Sequence, residues 1–280
     1  MNFPIGFMQG RLSPLVDGKI QAFPWDHWWH EFPIANEHGF KIMEWTLDQD
    51  RLYKNPFMTK KGRKEIKNLM FTHDVSIPSV TCDCILQASF YKTSGNDRDN
   101  LLEDLKNIIQ SSDDLGSNFV IIPLVDEGRI ESKSQEINFR DGLNSIESLL
   151  HTTGIRICFE SDFNPKKLID FIDQFSQKNF GINYDIGNSA SLGYNPEEEI
   201  RLYGHRILNV HVKDRLLNGT TVPLGEGNAE ISVVLKALVL SGYKGNFILQ
   251  TARALNDDHS RVLTHYRDQV TEFLKAVEDY

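Results

Sequence analysis

A single (β/α)8 barrel spanning residues 1–280 is the fold this sequence predicts, on three observations. Short apolar runs alternate with amphipathic stretches about eight times. The chain divides into units of roughly 35 residues, a reasonable length for one strand–helix repeat. No linker, low-complexity block or charge run interrupts the series. A doubly wound sheet is the competing arrangement. It is weakened because the first run leads into Gln9-Gly10-Arg11-Leu12-Ser13-Pro14 and not into a G-x-G-x-x-G turn.

Strands are predicted at 5–9, 41–45, 77–82, 119–124, 155–160, 181–185, 207–212 and 247–250. Each is short and rich in Ile, Val and Phe, as a strand covered on both faces must be. Helices are predicted at 25–38, 60–73, 98–115, 135–153, 165–176, 196–203, 230–240 and 259–276. Pro165 and Pro196 suit a first helical turn behind Asn164 and Asn195 as N-caps, and Gly116, Gly154 and Gly242 stand where helices should stop.

Composition narrows the function. Thirty basic against 39 acidic side chains give a formal charge of -9, which opposes a phosphate backbone, so nucleic acid is not an expected partner. No run is long enough to cross a bilayer and the start lacks a secretory pattern, which predicts a soluble, cytoplasmic protein away from membranes. Cys82, Cys84 and Cys158 cannot make a disulfide framework. Cys82-Asp83-Cys84 reads as strand-end packing before it reads as a zinc site. Trp25, Trp28 and Trp29 mark either the packing between barrel and helix or the surface of a homodimer.

Barrel enzymes act at the C-terminal ends of their strands. Here the fifth strand ends on Glu160, the sixth on Asp185 and the seventh carries His211, spaced 25 and 26 residues apart. Side by side on one rim, two carboxylates and an imidazole can hold a divalent cation. Alternation places Asn209, His211 and Lys213 on one face of the seventh strand. Lys213 then becomes a candidate acid/base or anion partner. Gln9 and Arg11 after the first strand and Arg253 after the last would meet when the barrel closes, and the two arginines would fork a phosphate or carboxylate. Leu224-Gly225-Glu226-Gly227-Asn228 offers a weaker anion loop.

These residues, with Asp185-Ile186-Gly187-Asn188, His211-Val212-Lys213-Asp214 and Gly6-Phe7-Met8-Gln9-Gly10-Arg11-Leu12-Ser13, resemble the xylose isomerase-like barrels over essentially the whole chain. Within them the chain resembles the ketose 3-epimerase branch. The resemblance implies a divalent metal, Mn, Mg, Zn or Co, held by Glu160, Asp185, His211 and the residue at position 250. It also implies a small sugar or sugar-phosphate substrate, touched by Gln9, Arg11, Asn188, Glu226 and Arg253. In that branch two Glu residues exchange the proton beside the carbonyl. Glu160 matches the first, and Gln250 departs from the second.

An amide can ligate a cation, but it cannot accept a proton near neutral pH. Three mechanisms follow. Glu160 acts as sole base in an isomerisation, with Lys213 among the catalytic groups; or Lys213, Asp83 or Glu226 replaces the missing base; or the barrel binds a sugar or sugar acid without turning it over. The endonuclease IV branch needs histidines at several strand ends, and the second and third strands here end in Glu44-Trp45-Thr46 and Cys82-Asp83.

Overall fold

The computed structural model describes residues 3–278. Its strands are β1 (Ile5–Met8), β2 (Met43–Thr46), β3 (Ser79–Thr81), β4 (Phe119–Leu124), β5 (Arg156–Ser161), β6 (Phe180–Asp185), β7 (Ile207–Val212), a two-stranded ribbon of β8 (Asp214–Arg215) and β9 (Thr221–Val222), and β10 (Asn246–Leu249). All but the ribbon join one closed barrel in the order β1-β10-β7-β6-β5-β4-β3-β2, with every pair parallel. Each of the eight predicted strands is present. Closure occurs where Ile5 pairs with Phe247 and Phe7 with Leu249.

The two faces of each strand have different work. Phe7, Met43, Trp45, Phe159 and Val212 are fully buried apolar residues packed into the main core. Inward positions are polar, with Glu44 on β2, Ser79 and Thr81 on β3, Glu160 on β5, Asn183 and Asp185 on β6, and Asn209 and His211 on β7. All are 5 % exposed or less. Successive side chains of a strand face opposite sides, so alternation alone lets an apolar-looking strand carry a polar interior. On the outer side Phe159 meets Phe139, Phe171, Phe175 and Phe180 at centroid distances of 5.2 to 5.9 Å, which ties two helices and the turn after the second of them to β5 and β6.

Helix ends follow their predicted caps. Asn164 Oδ1 accepts from Lys167 N–H and Asn195 Oδ1 from Glu198 N–H, at 3.0 and 2.9 Å. Gly116 and Gly154 take the left-handed conformation at helix C-termini. Three helices differ from expectation. The stretch 25–38 is helical only over Glu31–Glu37, and the carboxylate of its first residue, Glu31, accepts from Gly10 and Leu12 N–H of the loop after β1. The stretch 135–153 splits into Lys133–Asn144 and Glu147–Thr153. At the break Ser145 Oγ donates to the Gly142 carbonyl and Ile146 turns into the core. The stretch 165–176 stops at Ile172. Two short helices, Asp83–Gln87 and Ile186–Ser191, follow β3 and β6 directly and were not predicted. Among the described residues no helix is long and apolar enough to cross a membrane.

Trp28 is buried and packs edge-on against Trp45, 5.7 Å away, while Trp25 lies under the Arg51 guanidinium and Trp29 is 39 % exposed. Trp28 and Trp25 therefore serve the layer between barrel and helix, and Trp29 faces outward. All three cysteines are free and buried.

Candidate metal and active site

The site begins with register. In the β6–β7 pair Asp185 stands beside His211, and in the β7–β10 pair His211 stands beside Ile248, one residue before Leu249 and two before Gln250. Glu160 stands beside Pro123 of β4. Glu160, Asp185 and His211 thus converge, each offering one donor atom within 4.8 Å of the others. His211 Nδ1 lies 3.1 Å from Glu160 Oε2 and 3.9 Å from Asp185 Oδ2.

The residue that orients this cluster is Glu44, which the sequence reading passed over as a strand end lacking histidine. Its Oε1 is 2.6 Å from His211 Nε2 and accepts from Thr81 Oγ1, while Oε2 accepts from Ser79 Oγ and Asn209 Nδ2. A carboxylate on Nε2 fixes the imidazole so that Nδ1 faces the ligand cluster, the arrangement usual for a metal-binding histidine. Asn183 Nδ2 donates to Glu160 Oε2 at 2.9 Å and lies 3.1 Å from His211 Nδ1. Asp185 Oδ1 caps the helix after β6 by accepting from Asn188 N–H.

Charge follows burial. For His211 burial opposes the charged form, but the Glu44 and Glu160 carboxylates outweigh it and push the imidazole up to about 10. Burial would likewise raise Glu160. His211 and Lys213 overcome that and hold its carboxyl below the usual range, so it is ionised at neutral pH. Asp185 is raised, with burial exceeding the pull of Lys213.

Lys213 Nζ stands 2.7 Å from Asp185 Oδ2 and donates to Gln250 Oε1 at 2.9 Å. The Asp185 oxygen has no aligned hydrogen bond, so this contact is ionic. Gly187 makes room for it, since a Cβ there would lie 2.9 Å from Lys213 Cγ and 3.0 Å from its carbonyl oxygen.

Above the cluster opens a cavity of about 400 Å³ lined by Arg11, Asp83, Glu160, Lys213, Arg215 and Gln250, with Asn188 and Gln21 at its wall. The structure separates the residues expected at substrate. Arg11 and Asn188 line the cavity. Gln9 is fully buried with its Oε1 on Thr46 N–H and is not in the wall. Arg253 donates to the carbonyls of Gly10 and Ser13 and so latches the loop after β1 instead of forking with Arg11. Glu226 is exposed on the loop beyond β9, outside the cavity. That loop is held by Asp214, whose carboxylate accepts from Gly225, Gly227 and Ala229 N–H.

Arg215, which the sequence reading missed, enters the wall two residues after Lys213, as strand alternation would have indicated. Its Nη1 donates to Asn188 Oδ1, and Asn188 Nδ2 donates to Glu160 Oε1 at 2.7 Å. Arg11 is 4 % exposed and makes no ion pair among the described residues; its donors go to Thr251 and Ile20 carbonyls and to Gln21 Oε1.

Asp83 has a raised carboxyl, pushed up to about 7 by burial and then by the negative charges of Asp48 and Glu160. A folded-state value above the unfolded one means that stability is fully present below about pH 4 and lost as pH rises through 7. Asp83→Asn is therefore expected to raise the melting temperature at pH 8 and to leave it nearly unchanged at pH 4. Thermal denaturation at the two pH values checks this.

A family model described as a xylose isomerase-like TIM barrel matches residues 32–269. The chain belongs to that family. L-ribulose-5-phosphate 3-epimerase UlaE of Escherichia coli O1:K1 / APEC is 24% identical over 255 residues, covering 87% of this chain and 88% of the relative. Among solved structures, D-psicose 3-epimerase with D-tagatose from Clostridium cellulolyticum H10 superposes with a TM-score of 0.76 at 14% identity, covering 97% of this chain and 99% of that one. A xylose isomerase-like TIM barrel protein from Mycobacterium smegmatis in complex with magnesium gives 0.73 at 17% identity, covering 98% and 97%.

Proposed function

We propose that this family member is a divalent-metal-dependent isomerase or epimerase of a sugar or sugar phosphate, with Glu160 as the group that takes the proton from the carbon beside the carbonyl. The observation that carries the reading is the join of two features in one place. Glu160 is ionised and opens to the cavity, and its neighbours Asp185 and His211 are within ligating reach of one cation. The names of the similar epimerases and of the magnesium complex agree with it.

The residues fit a metal. Glu44 holds the His211 ring with Nδ1 toward the two carboxylates, and a buried Asp185 oxygen lacks an aligned hydrogen bond. Oxygen and nitrogen donors of intermediate hardness suit Mn²⁺, Mg²⁺, Zn²⁺ or Co²⁺. When bound by Glu160, Asp185, His211 and the amide oxygen of Gln250, such an ion would polarise the carbonyl and offset the charge that develops on its oxygen. Lys213 would then release Gln250 and turn toward substrate. Arg11 and Arg215 supply positive charge for an acidic end of the substrate.

Gln250 also motivates a second reading, a barrel that binds a sugar or sugar acid without turnover, because the amide cannot exchange a proton. One experiment separates them. Protein loaded with Mn²⁺ and incubated with ketoses and ketose phosphates in D₂O is expected to place deuterium on the carbon beside the carbonyl, and to stop doing so with EDTA. Thermal stabilisation by the same compounds, with no deuterium entering any of them, would establish the binding reading instead.

A further inference from the structure

Inverting a carbon beside a carbonyl needs a proton to leave one face and another to arrive on the opposite face. Glu160 serves one face. Gln250 cannot serve the other, and its oxygen is bonded to Lys213.

The cavity wall contains a second carboxyl. Asp83 follows β3 and opens the short helix Asp83–Gln87, so it enters the cavity from one side of β4 while Glu160 enters from the other. The neighbouring acids are already engaged. Glu160 accepts from Asn183 and Asn188, Asp185 from Asn188 N–H, and Asp48 from Phe23 N–H and Gln87 Nε2. Glu44 accepts from Ser79, Thr81 and Asn209 besides its contact with His211. Asp126 is exposed at the rim. Asp83 is half-buried, faces the cavity, and among the described residues accepts no hydrogen bond and forms no ion pair. A carboxyl kept unpartnered in a cavity wall costs stability, and such costs concentrate at working positions.

We propose that Asp83 is the second proton-transfer group, standing in for the missing glutamate at position 250, and that the chain inverts a stereocentre beside the substrate carbonyl. The inference rests on the reading of Glu160 as a base in the same cavity. Glu160 removes the proton from one face; the C–H pair becomes the new C–C π bond, and the carbonyl π pair moves onto oxygen to give an enediolate. Protonated Asp83 then gives its proton to the same carbon from the other face while the carbonyl re-forms. The turnover ends with Glu160 protonated and Asp83 ionised, and exchange of one proton with water in the open cavity restores both. No oxidant or co-substrate is required. The raised Asp83 carboxyl is compatible with either role near neutral pH.

The test uses the full chain loaded with Mn²⁺, with L-ribulose 5-phosphate, D-tagatose and D-psicose in D₂O. NMR reads both deuterium content and configuration at the carbon beside the carbonyl. The wild-type protein is expected to exchange and to invert at least one of these. Asp83→Asn should lower inversion at least about 100-fold while deuterium entry stays within about threefold, and Asp83→Glu should restore part of the inversion. A melting temperature at or above that of the wild type confirms that Asp83→Asn is folded. Inversion by Asp83→Asn at the wild-type rate would overturn the proposal, as would wild-type exchange without inversion. Absence of both exchange and inversion in the wild type would instead remove the Glu160 reading beneath it.

Discussion

Glu160→Gln is expected to reduce deuterium exchange by about 10²–10⁴-fold, the usual worth of a positioned base. The substitution is nearly isosteric and keeps an oxygen for Asn183 or Asn188, which both donate to the wild-type carboxylate. Folding should therefore survive. What disappears is the negative charge that His211 and Lys213 stabilise and that makes the group a base at neutral pH. Binding of the same sugars should weaken far less than turnover. Comparing exchange rate with thermal stabilisation by the ligand checks the split. Equal losses in both would mean that Glu160 only anchors substrate or metal.

Glu44 should have the largest effect on stability. It is fully buried, and removing it leaves His211, Asn209, Ser79 and Thr81 without their common acceptor. Breaking a buried charged pair by deleting one partner costs about 3–5 kcal/mol. Glu44→Ala should accordingly lower the melting temperature by on the order of 10 °C. Glu44→Gln keeps the volume, and its expected signature is a 10- to 100-fold loss of Mn²⁺ affinity through the misoriented His211 ring.

The pair also has a pH window in the metal-free protein. His211 is raised from 6.5 to about 10, so its contribution is complete below about pH 6.5 and lost as pH climbs through 10. The Glu44 carboxyl is lowered, because His211 and the two hydroxyls outweigh burial. Its contribution is present above the ordinary Glu range and lost in acid. Calorimetric melting of metal-free wild type and Glu44→Gln across about pH 2–11 checks both limits.

Much of the barrel was legible because a strand covered on both faces must be short and apolar, and runs such as Phe119–Leu124 and Ile207–Val212 have few alternatives. Glu160, Asp185 and His211 were legible for a related reason: a charged residue closing such a run conflicts with its surroundings unless it is used. Glu44 sits inside such a run. Its purpose depends on a contact with a residue 167 positions away, which appears only when the barrel shuts. Arg253 illustrates the opposite limit. Proximity of the first and last loops was foreseeable, but the direction of a long side chain was not, and its guanidinium turns to backbone carbonyls where a substrate fork was expected. The helix boundary at 145 was hidden because the Ser145 hydroxyl bonds the Gly142 carbonyl and so competes with the helix.

Placement of the cation on Glu160, Asp185 and His211 is the claim from which the proposed chemistry starts. Crystals of the Mn²⁺-loaded protein, with anomalous diffraction recorded at the manganese edge, are predicted to show one ion per chain at roughly 2.0–2.3 Å from Glu160, Asp185 and His211 Nδ1, with Lys213 Nζ displaced from Asp185. An ion bound away from these three residues, or none at saturating Mn²⁺ with Lys213 still on Asp185 and Gln250, would contradict it.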